Sequence, residues 1–205
     1  MNTTVKLCTF LSILITLNSC ALKEVVIKSK EIKPLQNFEK HTPSTKAQGS
    51  LNILNFSDQR EDKKSIGIAA TGMLNIPAPL RIDVPINEYI KEEFTNELGR
   101  RGIEVAAQTK YSMTGEIKKL WITENADGIS FESSKCDMVV AFNIVNSKTK
   151  QPVYHGTITV FVMGTNSIWD TTDSDGPVLK ACVNGLAEQF IKHSDIQKIL
   201  NFTFH

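Results

Sequence analysis

The chain has 205 residues, of which 41% are hydrophobic, and its 23 Lys and Arg residues nearly balance its 22 Asp and Glu residues. This composition is typical of a globular protein and excludes a disordered chain. The lack of a basic excess argues against a nucleic-acid partner, and the lack of an acidic run argues against a solvating tail.

The beginning of the chain has the pattern of an export signal. Lys6 supplies a positive charge, and the apolar run 7–17 is too short to cross a bilayer as a helix of roughly 20 residues. The run ends in Leu17-Asn18-Ser19-Cys20, which resembles a bacterial lipobox. The resemblance implies that residues 1–19 are a lipoprotein signal peptide and that Cys20 is lipidated and anchors the protein to a membrane. The alternative is an ordinary secretory signal cut near Ala21.

The segment after the anchor is polar. Residues 20–49 are rich in Lys, Glu, Ser, Thr and Pro, and such a segment buries too little apolar surface to repay its ordering entropy. We therefore predict an acylated Cys20 followed by a flexible tether, and a single periplasmic domain over residues 50–205. In the alternative, Val25-Val26-Ile27 pairs as an additional edge strand.

The domain shows alternating helical and extended patterns. Apolar residues at every fourth position predict a helix over 86–101 that ends at Gly102, and a second amphipathic helix is predicted over 177–192. Strands are predicted over 50–56, 103–106, 111–123, 137–145 and 153–163, with a change of phase inside the third. The order predicts an α+β two-layer sandwich, with a mostly antiparallel sheet and two helices on one face.

Several landmarks together resemble the YajG-type lipoproteins, an uncharacterised bacterial family. They are the lipobox, a strand ending in Asp58-Gln59-Arg60, a helix running into Arg101-Gly102, a strand near 136–140 and a closing helix near 190–200. The likeness covers most of residues 50–200. It implies an envelope lipoprotein, and the family supplies no agreed catalytic residues to carry over. Ala21 after the anchor fits sorting to the outer membrane, with the domain on the periplasmic face.

The connection over 59–85 is the predicted contact loop. Loops of this length in a compact domain are usually functional or mobile. Its middle, 66–76, is apolar enough to contain a short hairpin or to lie on the domain. Its candidate contact residues are Asp58, Arg60, Ile66, Ile68 and Met73. For Asp58 and Arg60, we favour a structural interpretation in which an ion pair fixes the loop.

The cysteines and acidic residues of the domain give no metal site. Cys136 and Cys182 could form a disulfide in an oxidising compartment, or they could be two buried free thiols. Asp170, Asp173 and Asp175 begin a calcium-like pattern that fails because Cys182 stands where an acidic ligand is needed. The pattern instead suits the entrance of a helix, with Asp175 or Gly176 near the N-cap and Pro177 at its first position. We expect no metal and no cofactor.

The chain lacks the common catalytic motifs, including GxSxG, HExxH and a P-loop. We therefore predict that it is not an enzyme but a non-catalytic interaction or structural module of the bacterial cell envelope. Its partners would be the membrane, through Cys20, and either an envelope protein or a second copy. The alternative is a periplasmic carrier of small molecules or lipid, which needs an apolar pocket between helices and sheet.

Overall fold

The computed structural model describes residues 24–34, 49–71, 76–126, 131–167 and 175–201. Within these ranges the chain has an α+β fold, with one mixed sheet and helices packed against it. The strands are β1 Val25–Ile27, β2 Ser50–Asp58, β3 Gly67–Thr71, β4 Ile76–Ile82, β5 Glu104–Val105, β6 Tyr111–Ala126, β7 Phe131–Asn146 and β8 Pro152–Ser167. The α-helices are α1 Ile86–Arg100, α2 Asp175–Lys192 and α3 Ser194–Leu200, and Ser29–Glu31 forms a 3₁₀ turn.

Strand β6 organises the sheet. Along one edge, its first half pairs parallel with β2 and its second half pairs parallel with β3. Along the other edge it pairs antiparallel with β7, which in turn pairs antiparallel with β8. The remaining pairs are β3 with β4, which is antiparallel, and β4 with β1 and β2 with β5, which are parallel. The sheet is therefore mixed in strand direction.

A β-bulge in β6 explains the change of phase in the sequence. The pairing with β7 shifts between Ile117 and Lys119, so one additional residue is inserted in β6. Such an insertion moves the following side chains to the opposite face. Leu120 and Ile122 are thereby returned to the buried face, where Ile117 also lies.

Residues 24–34 belong to the folded domain, which corrects the predicted tether for this segment. β1 pairs with β4, and Ile27 is only 1% exposed. The backbone N–H of Ser29 donates to Asp83 Oδ1 at 2.9 Å and fixes the turn that follows β1. The alternative interpretation of Val25-Val26-Ile27 as an edge strand describes this pairing.

The predicted long loop 59–85 contains a β-hairpin. β3 and β4 pair antiparallel, and Gly67 and Ile68 of β3 also pair with β6. Only the beginning and the end of the predicted loop lie outside strands in the part of 59–85 that the structure describes. The apolar stretch after Ile66 is apolar because it contributes strands to the sheet.

Four phenylalanine rings form the centre of the core. Phe56 of β2 and Phe142 of β7 lie on one face of the sheet, in the same cross-strand row. Phe94 of α1 stacks on Phe142 with ring centroids 5.4 Å apart, and Phe190 of α2 approaches Phe142 to 5.1 Å. Both helices therefore pack on this face, which we call the inward face. The opposite face of the sheet is the outward face.

Helix α1 ends as its sequence predicts. Gly102 has a φ of 83°, a left-handed conformation that costs glycine little. The backbone N–H of Ile103 then donates to the carbonyl of Leu98 at 3.0 Å, which satisfies one of the last helical acceptors.

No helix within the described ranges is long and apolar enough to cross a membrane.

Candidate interaction surface

Asp58 and Arg60 form an internal ion pair. The Arg60 side chain is 5% exposed, and its Nε and Nη2 each donate to the Asp58 carboxylate at 2.9 Å. Its Nη1 donates to the carbonyl of Ser65 at 2.8 Å. This geometry clamps the connection between β2 and β3 and leaves the guanidinium turned away from solvent. It agrees with the structural interpretation of this pair.

The environment of Asp58 favours its charged form. Burial opposes ionisation, but hydrogen bonds from the side chain and the backbone of Arg60, together with its charge, outweigh burial and lower the pKa of Asp58. The Asp58 carboxylate is therefore ionised at neutral pH, and both of its oxygens accept hydrogen bonds from Arg60 within the fold.

The other predicted contact residues are divided between the two faces of the hairpin. Ile66 is buried in the core, so it cannot contact a partner in this conformation. Ile68 points to the outward face and is 38% exposed. Met73 lies outside the described residues. Among the described apolar candidates of the predicted contact loop, Ile68 is therefore the exposed one. It lies on the outward face of the sheet, and the candidate surface considered next is on that face.

The outward face of the sheet is partly apolar. Phe161 and Met163 of β8 are 62% and 54% exposed, and Val26 of β1 is 38% exposed. Two cross-strand rows connect this region: one runs Met163–Lys135–Thr123–Ile68–Pro79, and the other runs Phe161–Asp137–Trp121. We call Val26, Ile68, Phe161 and Met163 the apolar corner. In contrast to it, Leu54 and Val153 are exposed apolar residues at the other end of the sheet.

Strand β8 is an edge strand without charge. Among the described residues it pairs only with β7, and none of its 16 residues is Lys, Arg, Asp or Glu. Its side chains alternate between the two faces, with Ile158, Val160 and Val162 buried against α2 and Thr157 and Thr159 exposed. Edge strands of natural proteins usually carry charges or prolines that discourage pairing with another chain. The first residue of β8 is Pro152, and the rest of the strand has neither a charged residue nor a proline.

A second polar cluster joins α1 to α2. Arg101 is buried, pairs with the buried Glu97 and donates from Nη2 to Asn184 Oδ1 at 2.6 Å. These groups bind one another across the helix interface. The cluster therefore orients α1 against α2 and lies beneath the surface.

Cys136 and Cys182 are brought together in the core. Both are buried free thiols, one on β7 and the other on α2. Burial raises the pKa of Cys136 well above its usual value, and a hydrogen bond with the Cys182 thiol and the nearby charge of Asp137 add to the effect. The Cys136 thiol is thus protonated beside Cys182, and the predicted disulfide between the two residues remains a prediction.

The remaining candidates concern lipidation and metal binding. Asp175 begins α2, is buried, and accepts a hydrogen bond from Ser134 Oγ at 2.9 Å. Cys20, Asp170 and Asp173 lie outside the described residues. No group of three His, Cys, Asp or Glu side chains able to hold a metal ion is found in the ranges that the structure describes.

Comparisons with known proteins give a fold and no family. No family model matches the chain, and a search of curated proteins found no relative. Protein XCC0632 from Xanthomonas campestris, described with the family model DUF330, is similar in structure with a TM-score of 0.51 at 10% identity, over 82% of this chain and 92% of that chain. A minor lipoprotein from Acinetobacter baumannii has a TM-score of 0.37 at 8% identity, over 75% of this chain and 95% of that chain. The PelC dodecamer from Paraburkholderia phytofirmans has a TM-score of 0.36 at 12% identity, over 67% of this chain and 86% of that chain.

These findings define the chain as an α+β protein and show that its fold also occurs in the Xanthomonas protein. At 10% identity this likeness shows the fold alone. Two of the structural neighbours, from Acinetobacter baumannii and Caulobacter crescentus, are described as lipoproteins, and the resemblance to the YajG-type family in particular stays a prediction.

Proposed function

We propose that this chain is a lipid-anchored protein of the bacterial cell envelope that acts as a non-catalytic interaction or structural module. The pattern Leu17-Asn18-Ser19-Cys20 supports lipidation of Cys20, and Ala21 supports the periplasmic face of the outer membrane. The observation that carries the interaction role is the uncharged edge of β8.

The edge of β8 fits an extended strand of another chain. A strand that adds to an exposed edge is held by main-chain hydrogen bonds, and charges on the edge normally oppose such an addition. On β8, the exposed side chains in the middle of the strand are Thr157 and Thr159, which tolerate a neighbouring strand. The partner is an envelope protein or a second copy of this chain.

The polar groups offered by the sequence support a non-catalytic role. Asp58 and Arg60 neutralise each other within the fold, and the buried Glu97 pairs with Arg101. A hydrolase needs titratable groups that converge on an open cleft. These pairs instead converge on each other and stabilise the fold.

The carrier alternative finds no support in the packing between helices and sheet. Phe56, Phe94, Phe142 and Phe190 fill this space with ring centroids 5.1 to 6.0 Å apart. A lipid or small molecule would have to displace these rings to bind there.

The test is crosslinking in cells of the full-length anchored protein, followed by mass spectrometry of the captured species. The variant Thr159→Lys places a charge on the free edge of β8. The matched control is Asn143→Lys, because Asn143 is also exposed on the outward face but lies on β7, whose two edges are both paired.

We expect reproducible crosslinks to one or two proteins, or to a second copy, that are lost in Thr159→Lys and kept in Asn143→Lys. Crosslinks that survive both changes would remove β8 from the proposal. Co-purifying lipid or small molecules without protein crosslinks would favour the carrier instead.

A further inference from the structure

The folded domain begins only four residues after the predicted anchor. Cys20 is followed by 21–23, and Glu24 is already next to β1. Four residues reach at most about 14 Å, whereas the 30-residue tether predicted from the sequence would reach roughly 100 Å. If Cys20 carries the acyl chains, the domain is held directly at the bilayer surface.

The chain enters the domain at one particular end of the sheet. Val25 pairs with Leu80, which pairs with Gly67, which pairs with Ile122. From this row, the direction toward Glu24 is the direction in which β3, β6 and β8 approach their carboxyl ends. We call this end of the sheet the anchor end.

The outward face is apolar near the anchor end and polar at the other end. Ile68 and Met163 lie one residue beyond the Val25 row toward the anchor end, and Val26 and Phe161 lie one residue before it. Toward the opposite end, the exposed residues of the same strands are mostly polar, including Glu116, Asn143, His155 and Thr157, and Val153 is an apolar exception. The apolar corner is thus on the part of the sheet that the anchor brings closest to lipid.

The charges around the apolar corner are mostly paired. Arg81 forms an ion pair with Glu24 at 3.3 Å, and Lys119 forms an ion pair with Asp137. Lys135, in the row between Met163 and Ile68, adds a positive charge. A surface of exposed apolar side chains with a slight positive excess suits an interface containing anionic lipid.

We infer that the apolar corner contacts the bilayer surface and fixes the orientation of the domain on the membrane. The inference rests on the proposed lipidation of Cys20. β1 and β8 are five strand spacings apart, or roughly 24 Å, so the anchor and Met163 provide two separated points of contact. Two such points restrict tilting, which a single anchor on a long tether does not.

The experiment uses full-length acylated protein in vesicles of phosphatidylethanolamine and phosphatidylglycerol that contain a lipid with a nitroxide near its headgroup. An environment-sensitive fluorophore is attached to Met163→Cys, and in a second sample to Thr157→Cys. Both positions are exposed on the outward face of β8, and they lie six residues or about 20 Å apart. The native Cys136 and Cys182 are buried and escape labelling in the folded protein.

We expect the nitroxide to quench the probe at position 163 at least about twofold more strongly than the probe at position 157. The reason is that interfacial contacts enter only about 5–10 Å into the headgroup region. Equal quenching at both positions would overturn the inference. A Gly-Ser insertion between Leu22 and Lys23 should reduce quenching at 163, and unchanged quenching would overturn the role given to the short link.

Mass spectrometry of the N-terminal peptide separates this inference from the proposed function. A peptide without acyl chains on Cys20 would contradict the proposed function itself. An acylated peptide together with an unquenched probe at 163 would contradict the orientation alone.

Discussion

The ring of Phe56 lies directly over the backbone of Gly115. A Cβ at position 115 would stand 2.5 Å from Phe56 Cε1, closer than real side chains approach. Gly115 lies in the row between Phe56 and Phe142, so the missing side chain makes room for the rings of the core.

The change Gly115→Ala should therefore destabilise the domain by about 1–3 kcal/mol, because Phe56 has to leave its position among the other rings. Urea unfolding measures the effect. The control is Gly99→Ala in α1, where nothing lies within 4 Å of an added Cβ. It should stabilise the helix by up to about 1 kcal/mol. Equal effects at the two positions would show that Gly115 serves no packing role.

The ion pair of Asp58 predicts a dependence of stability on pH. Because the folded-state pKa of Asp58 is lowered, the pair stabilises the fold above the ordinary Asp pKa of about 3.9, and the stabilisation is lost as pH falls through the lowered pKa. Asp58→Asn should cost about 1–3 kcal/mol at pH 7, because it leaves the buried Arg60 without its carboxylate partner.

The free energies of unfolding of the native protein and of Asp58→Asn should converge as the solution is acidified below about pH 4. The control is Asp195→Asn, which removes an exposed partner of Lys198 and should leave stability unchanged within error. A difference between the native protein and Asp58→Asn that is constant over the whole pH range would contradict the assignment.

The thiols of Cys136 and Cys182 should resist alkylation in the folded protein. They are buried, and the raised pKa of Cys136 keeps it protonated at neutral pH, while only the thiolate reacts. Alkylation followed by peptide mapping should modify both residues only after unfolding. Rapid alkylation of Cys136 in the native state would contradict its burial.

The contact between Arg101 and Asn184 should stabilise the packing of α1 against α2. Asn184→Ala removes the acceptor of a buried guanidinium, at an expected cost of about 1–3 kcal/mol. The control Lys198→Ala removes an exposed partner on α3 and should have little effect. Thermal unfolding of both variants measures the difference. An unchanged melting temperature in Asn184→Ala would show that Glu97 alone stabilises the buried Arg101 guanidinium.

Elements with strong local signals were predictable from the sequence. Helix α1 has a four-residue apolar repeat and a glycine at its end, and β8 alternates strictly between buried and exposed side chains. In both cases the spacing of the apolar residues follows from the period of the element itself, which decides which side chains share its buried face. The change of phase in β6 likewise indicated the bulge after Ile117.

Elements that depend on distant partners were not predictable. The three residues of β1 form a strand because Leu80 and its neighbours in β4 provide an edge for them. Strand β4 was hidden by Pro77 and Pro79, since proline cannot donate to a ladder. Both prolines lie before the stretch Leu80–Ile82 that β1 covers, so their missing N–H groups cost no hydrogen bond to β1.

The candidate surface was predictable only in composition. The absence of charge in 152–167 can be read from the sequence, but whether that strand has a free edge depends on which strands pair with it. The same limit explains why Ile66 appeared as a contact residue. Its burial arises between β4 and β6: the backbone N–H of Ile66 donates to the carbonyl of Leu80, and its carbonyl accepts from the N–H of Ile122.

The backbone of Leu200 in α3 lies against Gly49, immediately before β2, so closely that a Cβ on Gly49 would be 2.5 Å from the Leu200 carbonyl oxygen. The side chain of Leu200 is fully buried. A chain synthesised from the amino terminus onward therefore presents β2 long before the helix that closes over its beginning is complete. Until residue 200 is in place, the core stays open at this point and the beginning of the first long strand is uncovered.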